Sequence, residues 1–251
     1  DLTGKTALIT GASSGLGAHF ARVLASSGAR VVLAARRAER LSALVEELEQ
    51  QGHSALAVTM DVTDSDSVEA GFSAAEAAFG VCDILVNNAG IGDPVPFLEM
   101  NEGNWRSMLD TNLDGAWRVA HRACVAMAKG GQGGSVINIA SILGLRVGTA
   151  LSHYAVAKAG VVQLTKAMSL ELARNNIRVN AIAPGYFRTE MNTDYFDTEH
   201  GQNYIRSKVP MRRLGQLEEL DGPLLLLASE AGAFMTGSVL NVDGGHLSNS
   251  L

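Results

Sequence analysis

Seven short runs of β-branched and aliphatic residues punctuate the chain, at Thr6 to Thr10, Arg30 to Ala35, Ala55 to Met60, Ile84 to Asn87, Ser135 to Ala140, Arg178 to Ala183 and Ser238 to Val242. Each reads as a strand buried on both faces. Between them lie segments of helical spacing, such as Leu41, Leu44, Val45 and Leu48, whose apolar positions recur at three and four residues. Strands separated by helices require crossover connections. The expected fold is therefore doubly wound α/β: a seven-stranded, mostly parallel sheet with helices on both faces and ligands at the carboxyl ends of the strands. The 251 residues contain no internal repeat, low-complexity tract or linker, and Gly130 to Gly134 looks like a turn before a strand. One domain over 1–251 is expected.

Composition narrows the partners. Hydrophobic residues make up 47% and charged residues 18%, with no apolar run near the ~20 residues of a membrane helix. The formal net charge of -6 argues against a general nucleic-acid binder. Cys82 and Cys124 are the only cysteines, no His pair or carboxylate cluster has metal-ligand spacing, and the first residues do not resemble a signal peptide. A protein of the reducing cytoplasm without a metal is expected.

After the first strand comes Thr10-Gly11-Ala12-Ser13-Ser14-Gly15-Leu16-Gly17, then the helical stretch Ala18 to Ser26. Glycines between a strand and a helix let the backbone approach a pyrophosphate, and the helix start supplies N–H groups and a positive dipole end. An ordinary glycine-rich turn is the bland reading, and the placement disfavours it. Three residues separate the first two glycines and one separates the last two, unlike the common G-x-G-x-x-G. This Thr-Gly-x-x-x-Gly-x-Gly form resembles the short-chain dehydrogenase/reductase family.

The resemblance covers nearly the whole chain: Asp61-Val62 after the third strand, Asn87-Asn88-Ala89-Gly90 after the fourth, Asn112, Ser141, the pair Tyr154 and Lys158, and Pro184-Gly185 after the sixth. It implies a Rossmann-like oxidoreductase in which Gly11, Ser13, Ser14, Gly15, Leu16 and Gly17 hold the dinucleotide. Asp61 and Val62 would flank the adenine, and Asn88, Ala89 and Gly90 would line the cofactor cleft. Pro184, Gly185 and Phe187 would border it, and Thr189 would contact the nicotinamide carboxamide. Asp61 as a helix cap and Asn87 as a turn residue remain open.

An NAD-preferring site usually places an acid at the end of the second strand. That end reads Val32-Leu33-Ala34-Ala35-Arg36-Arg37, with Ala35 where the acid would stand. Arg36 can pair with a 2′-phosphate, with Arg37, Ser13 and Ser14 nearby, so NADP(H) is expected over NAD(H). The alternative leaves both arginines as solvated surface. Their place just before a helix, where positive charge meets the unfavourable dipole end, favours an anion.

Tyr154 and Lys158 are four residues apart and share one face of a helix. A nearby ammonium lowers a tyrosine pKa, so Tyr154 can exchange a proton with a substrate oxygen while the cofactor exchanges a hydride with carbon. Ser141, after the fifth strand, is placed to polarise a carbonyl. The family resemblance adds a bond from Lys158 to the nicotinamide ribose, and a water held by Asn112. His153, a quarter-turn from Tyr154, reads as exposed or at an interface. Cys124 reads as packing.

Ile91 to Leu98, Ile142 to Leu151 and the segment from Tyr186 to Met211 should border the substrate. The last reads as a lid carrying Tyr186, Phe187, Met191, Tyr195, Phe196 and Tyr204, together with Asp194 and Asp197. Its aromatics either face a medium-sized ketone or secondary alcohol or pack the lid onto the domain. Small residues on the helices around Asn112 and Tyr154 allow close contact, and the resemblance implies a homotetramer. The leading reading is an NADPH-dependent carbonyl reductase. An alcohol or sugar dehydrogenase working oxidatively and a non-catalytic cofactor sensor are the alternatives.

Overall fold

The computed structural model of the chain describes residues 1–189 and 193–249. In order the elements are β1 (Thr6–Thr10), α1 (Gly15–Ser26), β2 (Arg30–Ala35), α2 (Ala38–Gln50), β3 (Ala55–Thr59), α3 (Ser65–Phe79), β4 (Ile84–Asn87), α4 (Glu102–Leu109) and α5 (Gly115–Gly130). They continue with β5 (Gly134–Ile139), α6 (Ser152–Leu172), β6 (Ile177–Pro184), α7 (Thr193–Phe196), α8 (Glu199–Lys208), α9 (Asp221–Ala228) and β7 (Val239–Val242). All seven runs expected as strands are strands, and their ends shift by at most one residue.

The strands form one parallel sheet in the order β3-β2-β1-β4-β5-β6-β7, a Rossmann-like arrangement. Winding reverses between β1 and β4, which opens a crevice at their carboxyl ends. Side chains alternate between two cores. Ala7 and Ile9 of β1 join Phe20 and Leu24 of α1 and Leu41, Leu44 and Leu48 of α2. Leu8 faces the other way, toward Val68 and Phe72 of α3 and Val119 and Ala123 of α5. Burial on both faces explains why the strands read as continuous apolar runs.

A buried polar chain fixes the helix that carries the tyrosine. Asn87 Nδ2 donates to the Ala116 carbonyl (2.6 Å) and to Asn138 Oδ1 (3.3 Å), and Asn138 Nδ2 donates to Thr165 Oγ1 (2.9 Å). The Thr165 hydroxyl donates to the Val161 carbonyl one turn back (2.8 Å). Each of these donors has an acceptor, so the network ties β4 and β5 to α5 and α6 without stranding a polar group.

Two features depart from expectation. His153 is buried, at 1% exposure. Helix α6 packs at once on α4, on the 3-10 turn Ile142–Gly144 and on β6, so a quarter-turn does not bring a side chain to solvent. The helix expected around Asn112 is also interrupted, since α4 passes into α5 through a π turn at Asp110–Asp114. Among the described residues no helix is long and apolar enough to cross a membrane.

Candidate active site

The glycine turn is held by β4. Thr10 Oγ1 accepts from the backbone N–H groups of Asn88 (2.9 Å) and Ala89 (3.0 Å), and Asn88 Nδ2 donates to the Thr10 carbonyl (2.9 Å). The Asn88 amide occupies the space that side chains at Gly11 and Gly17 would need. A Cβ at Gly17 would lie 2.6 Å from Asn88 Nδ2, and one at Gly11 would lie 2.9 Å from it. Gly11 also has a φ of 67°, in the left-handed region. Helix α1 begins at Gly15 without a side-chain cap from Ser14 and without an acid in its first turn. Its positive dipole end is therefore uncompensated and suits an anion. Gly17→Ala is expected to cost about 1–3 kcal/mol of stability through overpacking and to weaken dinucleotide binding. Thermal denaturation and calorimetric titration would show both.

On one side of the turn a recess is lined by Ser13, Ser14, Arg36, Arg37, Asp61, Val62, Ala89 and Gly90. Arg37 reaches back to the turn, donating from Nε to Ser13 Oγ (3.1 Å) and from Nη2 to Ser14 Oγ (2.5 Å). The Asp61 carboxylate accepts from the N–H (2.9 Å) and hydroxyl (2.8 Å) of Thr63. The backbone bond is the main cause of a pKa below the ordinary carboxylate value, with Arg36 and Arg118 adding to it against the opposing effect of burial. Asp61 is not a helix cap: α3 is capped by Asp64, which accepts from Asp66 and Ser67 N–H groups.

On the other side, the cleft wall carries Gly11, Ser14, Gly15, Leu16, Asn88 and Gly90, facing Ser141, Tyr154, Lys158, Pro184, Gly185, Phe187 and Thr189. The two recesses share Gly11, Ser14, Gly90 and Ile91 and form one trough along the crevice. Gly17 and Asn112 lie behind this wall. Asn112, on the π turn, satisfies both backbone groups of Ile91: its Oδ1 accepts from the N–H and its Nδ2 donates to the carbonyl, each at 2.8 Å. Sequence reasoning gave Ile91 only as the start of a stretch bordering the substrate, not as part of the cofactor trough, and missed Thr111, Met60 and Ile139 as lining residues. Ile91 follows Asn88-Ala89-Gly90 directly and Thr111 precedes Asn112, so extending each motif by one residue would have found them.

Ser141 Oγ accepts from the Leu143 N–H (3.1 Å) and lines the same cleft wall as the Tyr154 phenol. Lys158 Nζ donates to the Ile139 carbonyl (2.8 Å) and lies 5.8 Å from the Tyr154 ring centre. The expected lowering of the Tyr154 pKa by the ammonium is not what governs here. Burial pushes the phenol up, with the nearby Ser141 hydroxyl pulling against it, while burial draws Lys158 down to about 8. Lys158 still holds its proton at neutral pH, yet it is not among the groups that set the Tyr154 value. Burial raises both cysteine thiols to about 12, which makes Cys124 a packing residue rather than a nucleophile.

The lid aromatics resolve toward packing. Tyr186 stands edge-on to Phe196 (5.3 Å), Tyr204 (5.7 Å) and His246 (5.4 Å), and Phe196, Ile205 and Val209 are buried around them. Phe187 turns the other way and lines the cleft. Met191 and the side chain of Tyr195 lie outside the described residues.

Residues 11–246 match the family described as Enoyl-(Acyl carrier protein) reductase. The gluconate 5-dehydrogenase of Gluconobacter oxydans is 38% identical over 244 residues, covering 97% of this chain and 95% of the relative. The chain belongs to the short-chain dehydrogenase/reductase family. Within that family the 3-oxoacyl-(acyl-carrier-protein) reductase FabG of Chlamydia trachomatis is 38% identical over 245 residues, 97% of this chain and 98% of the relative. The crystal structure of a gluconate 5-dehydrogenase from Burkholderia cenocepacia in complex with NADP and tartrate superposes with a TM-score of 0.95 at 37% identity, over 99% of this chain and 97% of that one. As a short-chain dehydrogenase/reductase, the protein is an oxidoreductase acting on the CH–OH/C=O pair.

Proposed function

We propose that the protein is an NADPH-dependent carbonyl reductase interconverting a ketone and a secondary alcohol, with Tyr154 as general acid and base. The observation that carries the reading is the placement of Ser141, Tyr154 and Lys158 on the wall of one cleft, facing the glycine turn. The residues fit a dinucleotide. The turn that sets Gly11 and Gly15 on the cleft wall and the uncapped start of α1 suit a pyrophosphate, and Arg36, Arg37, Ser13 and Ser14 gather where a 2′-phosphate would lie.

When bound, the nicotinamide supplies or accepts the hydride. The protein's part is the proton and the orientation. Ser141 holds the substrate oxygen beside the Tyr154 hydroxyl, and Tyr154 hands its proton to that oxygen as the carbonyl becomes an alcohol. A phenol whose pKa burial has raised keeps its proton at neutral pH, which suits the acid role in reduction. Lys158 would hold the ribose and keeps a charge beside the tyrosine, and Asn112 keeps Ile91 and the cleft wall in place. The likeness to dehydrogenases of gluconate and of L-rhamnose favours a second reading, oxidation of an alcohol or sugar.

Arg36→Ala is expected to weaken NADPH roughly 10- to 100-fold while changing NADH little, the worth of charge-assisted bonds to a phosphate. Equal weakening of both in fluorescence titrations would count against the 2′-phosphate assignment. Residues 1–251 would act as one domain, with 186–211 as its lid. A cytoplasmic homotetramer completes the reading. Trp117 and Val125 on α5 and Val156 and Leu170 on α6 are exposed, as residues covered by another copy would be. Loss of reduced-nicotinamide absorbance with NADPH and NADH across ketones, aldehydes and β-keto esters tests the function directly. Absence of turnover on every carbonyl compound would overturn it.

A further inference from the structure

The lid rings are turned onto one another, so the apolar surface bordering the substrate comes from elsewhere. Large apolar side chains are exposed on the three connections that follow β4, β5 and β6, the strands whose carboxyl ends build the catalytic half of the cleft. They are Phe97 (72%) and Leu98 (97%) after β4, Leu145 and Val147 (83%) after β5, and Met211 (63%) after β6. The first two connections are joined, since the Val95 N–H donates to the Ala150 carbonyl (2.8 Å). The cleft wall at the same carboxyl edge of the sheet is itself apolar in part, through Ile91 of the first connection, Ile139 and Phe187.

Charge points the same way. Arg146 is the single cation in the connections after β4 and β5, and its guanidinium donates to the His246 carbonyl. Arg188, beside the cleft residues Phe187 and Thr189, is paired with Asp197 at 2.7 Å. A substrate carboxylate reaching Arg146 or Arg188 would therefore compete with existing partners, whereas an apolar group would cover surface that water now meets.

We infer that the substrate is a neutral carbonyl compound with a sizeable apolar body, such as an alkyl, cyclic or aryl ketone or its alcohol, and not a sugar or sugar acid. This rests on the reductase reading and narrows it. The test is kcat/KM with NADPH along the unbranched methyl ketones from butanone to decanone, with cyclohexanone, acetophenone and a keto sugar acid for comparison. Calorimetric titration of the corresponding alcohols into the NADP-saturated protein accompanies it.

Specificity should climb by roughly two- to fourfold per methylene, and the heat-capacity change of alcohol binding should grow more negative with size. Phe97→Ser and Val147→Ser should flatten both trends, while Phe234→Ser, at the amino ends of the strands, keeps them. A flat series, a better rate on the keto sugar acid, or trends unchanged in both serine variants would overturn the inference and leave the reductase reading standing. NADPH binding without turnover of any carbonyl compound, the sugar acid included, would remove the reductase reading and this inference with it.

Discussion

Tyr154→Phe is expected to lower kcat for carbonyl reduction by about 10²–10⁴-fold while NADPH affinity changes far less. The substitution removes one hydroxyl from a side chain on the cleft wall and leaves the ring that packs there. Ser141 keeps its bond from the Leu143 N–H, so the 3-10 turn it caps should stay in place. Stopped assays of reduced-nicotinamide absorbance, with fluorescence titration of NADPH, separate the two effects. A variant retaining more than about a tenth of kcat would mean that another group delivers the proton.

Lys158→Met should move activity and stability in opposite directions. Lys158 is buried and drawn down to about 8 from an ordinary 10.5, so at neutral pH the fold carries a charge that its surroundings disfavour. Below about pH 8 both folded and unfolded states hold the proton and the full cost is present. Between about 8 and 10.5 the unfolded chain binds the proton that the folded one has shed, and stability rises with pH. Methionine removes the charge at similar volume and forfeits the bond to Ile139. The net gain at pH 7 is roughly 2 kcal/mol, or about 4–8 °C in Tm, with the alkaline rise in stability abolished. Activity should nearly vanish in the same variant. In the parent protein, reduction should weaken as pH climbs through about 8, where Lys158 loses its charge. A Tm that falls on substitution would mean that the lysine's contacts outweigh its desolvation.

The sheet was legible because its strands are covered on both sides, which writes them as unbroken aliphatic runs, and the glycine turn because close approach to Asn88 tolerates no side chain at Gly17. The trough was legible where motifs mark it and silent where ordinary apolar residues such as Ile139 complete its wall. Burial of His153 was hidden because periodicity reports one apolar stripe, while α6 is covered from several directions. The partner of the lid aromatics was hidden too. His246 stands 60 residues along the chain from Tyr186, and nothing local announces their contact.

The π turn at Asp110–Asp114 works as a phase shifter. One surplus residue in a helical ring offsets everything before it by about 100° from everything after it. It allows one rod to present α4 to α6 and α5 to α3, two surfaces that a uniform helix could not address together. Deleting Asp114 would lengthen no loop and remove no apolar side chain. It would nevertheless rotate α4 and Met108 out of register with α6 and pull Asn112 away from Ile91. The most damaging deletion in this helix is thus one that would make it more regular.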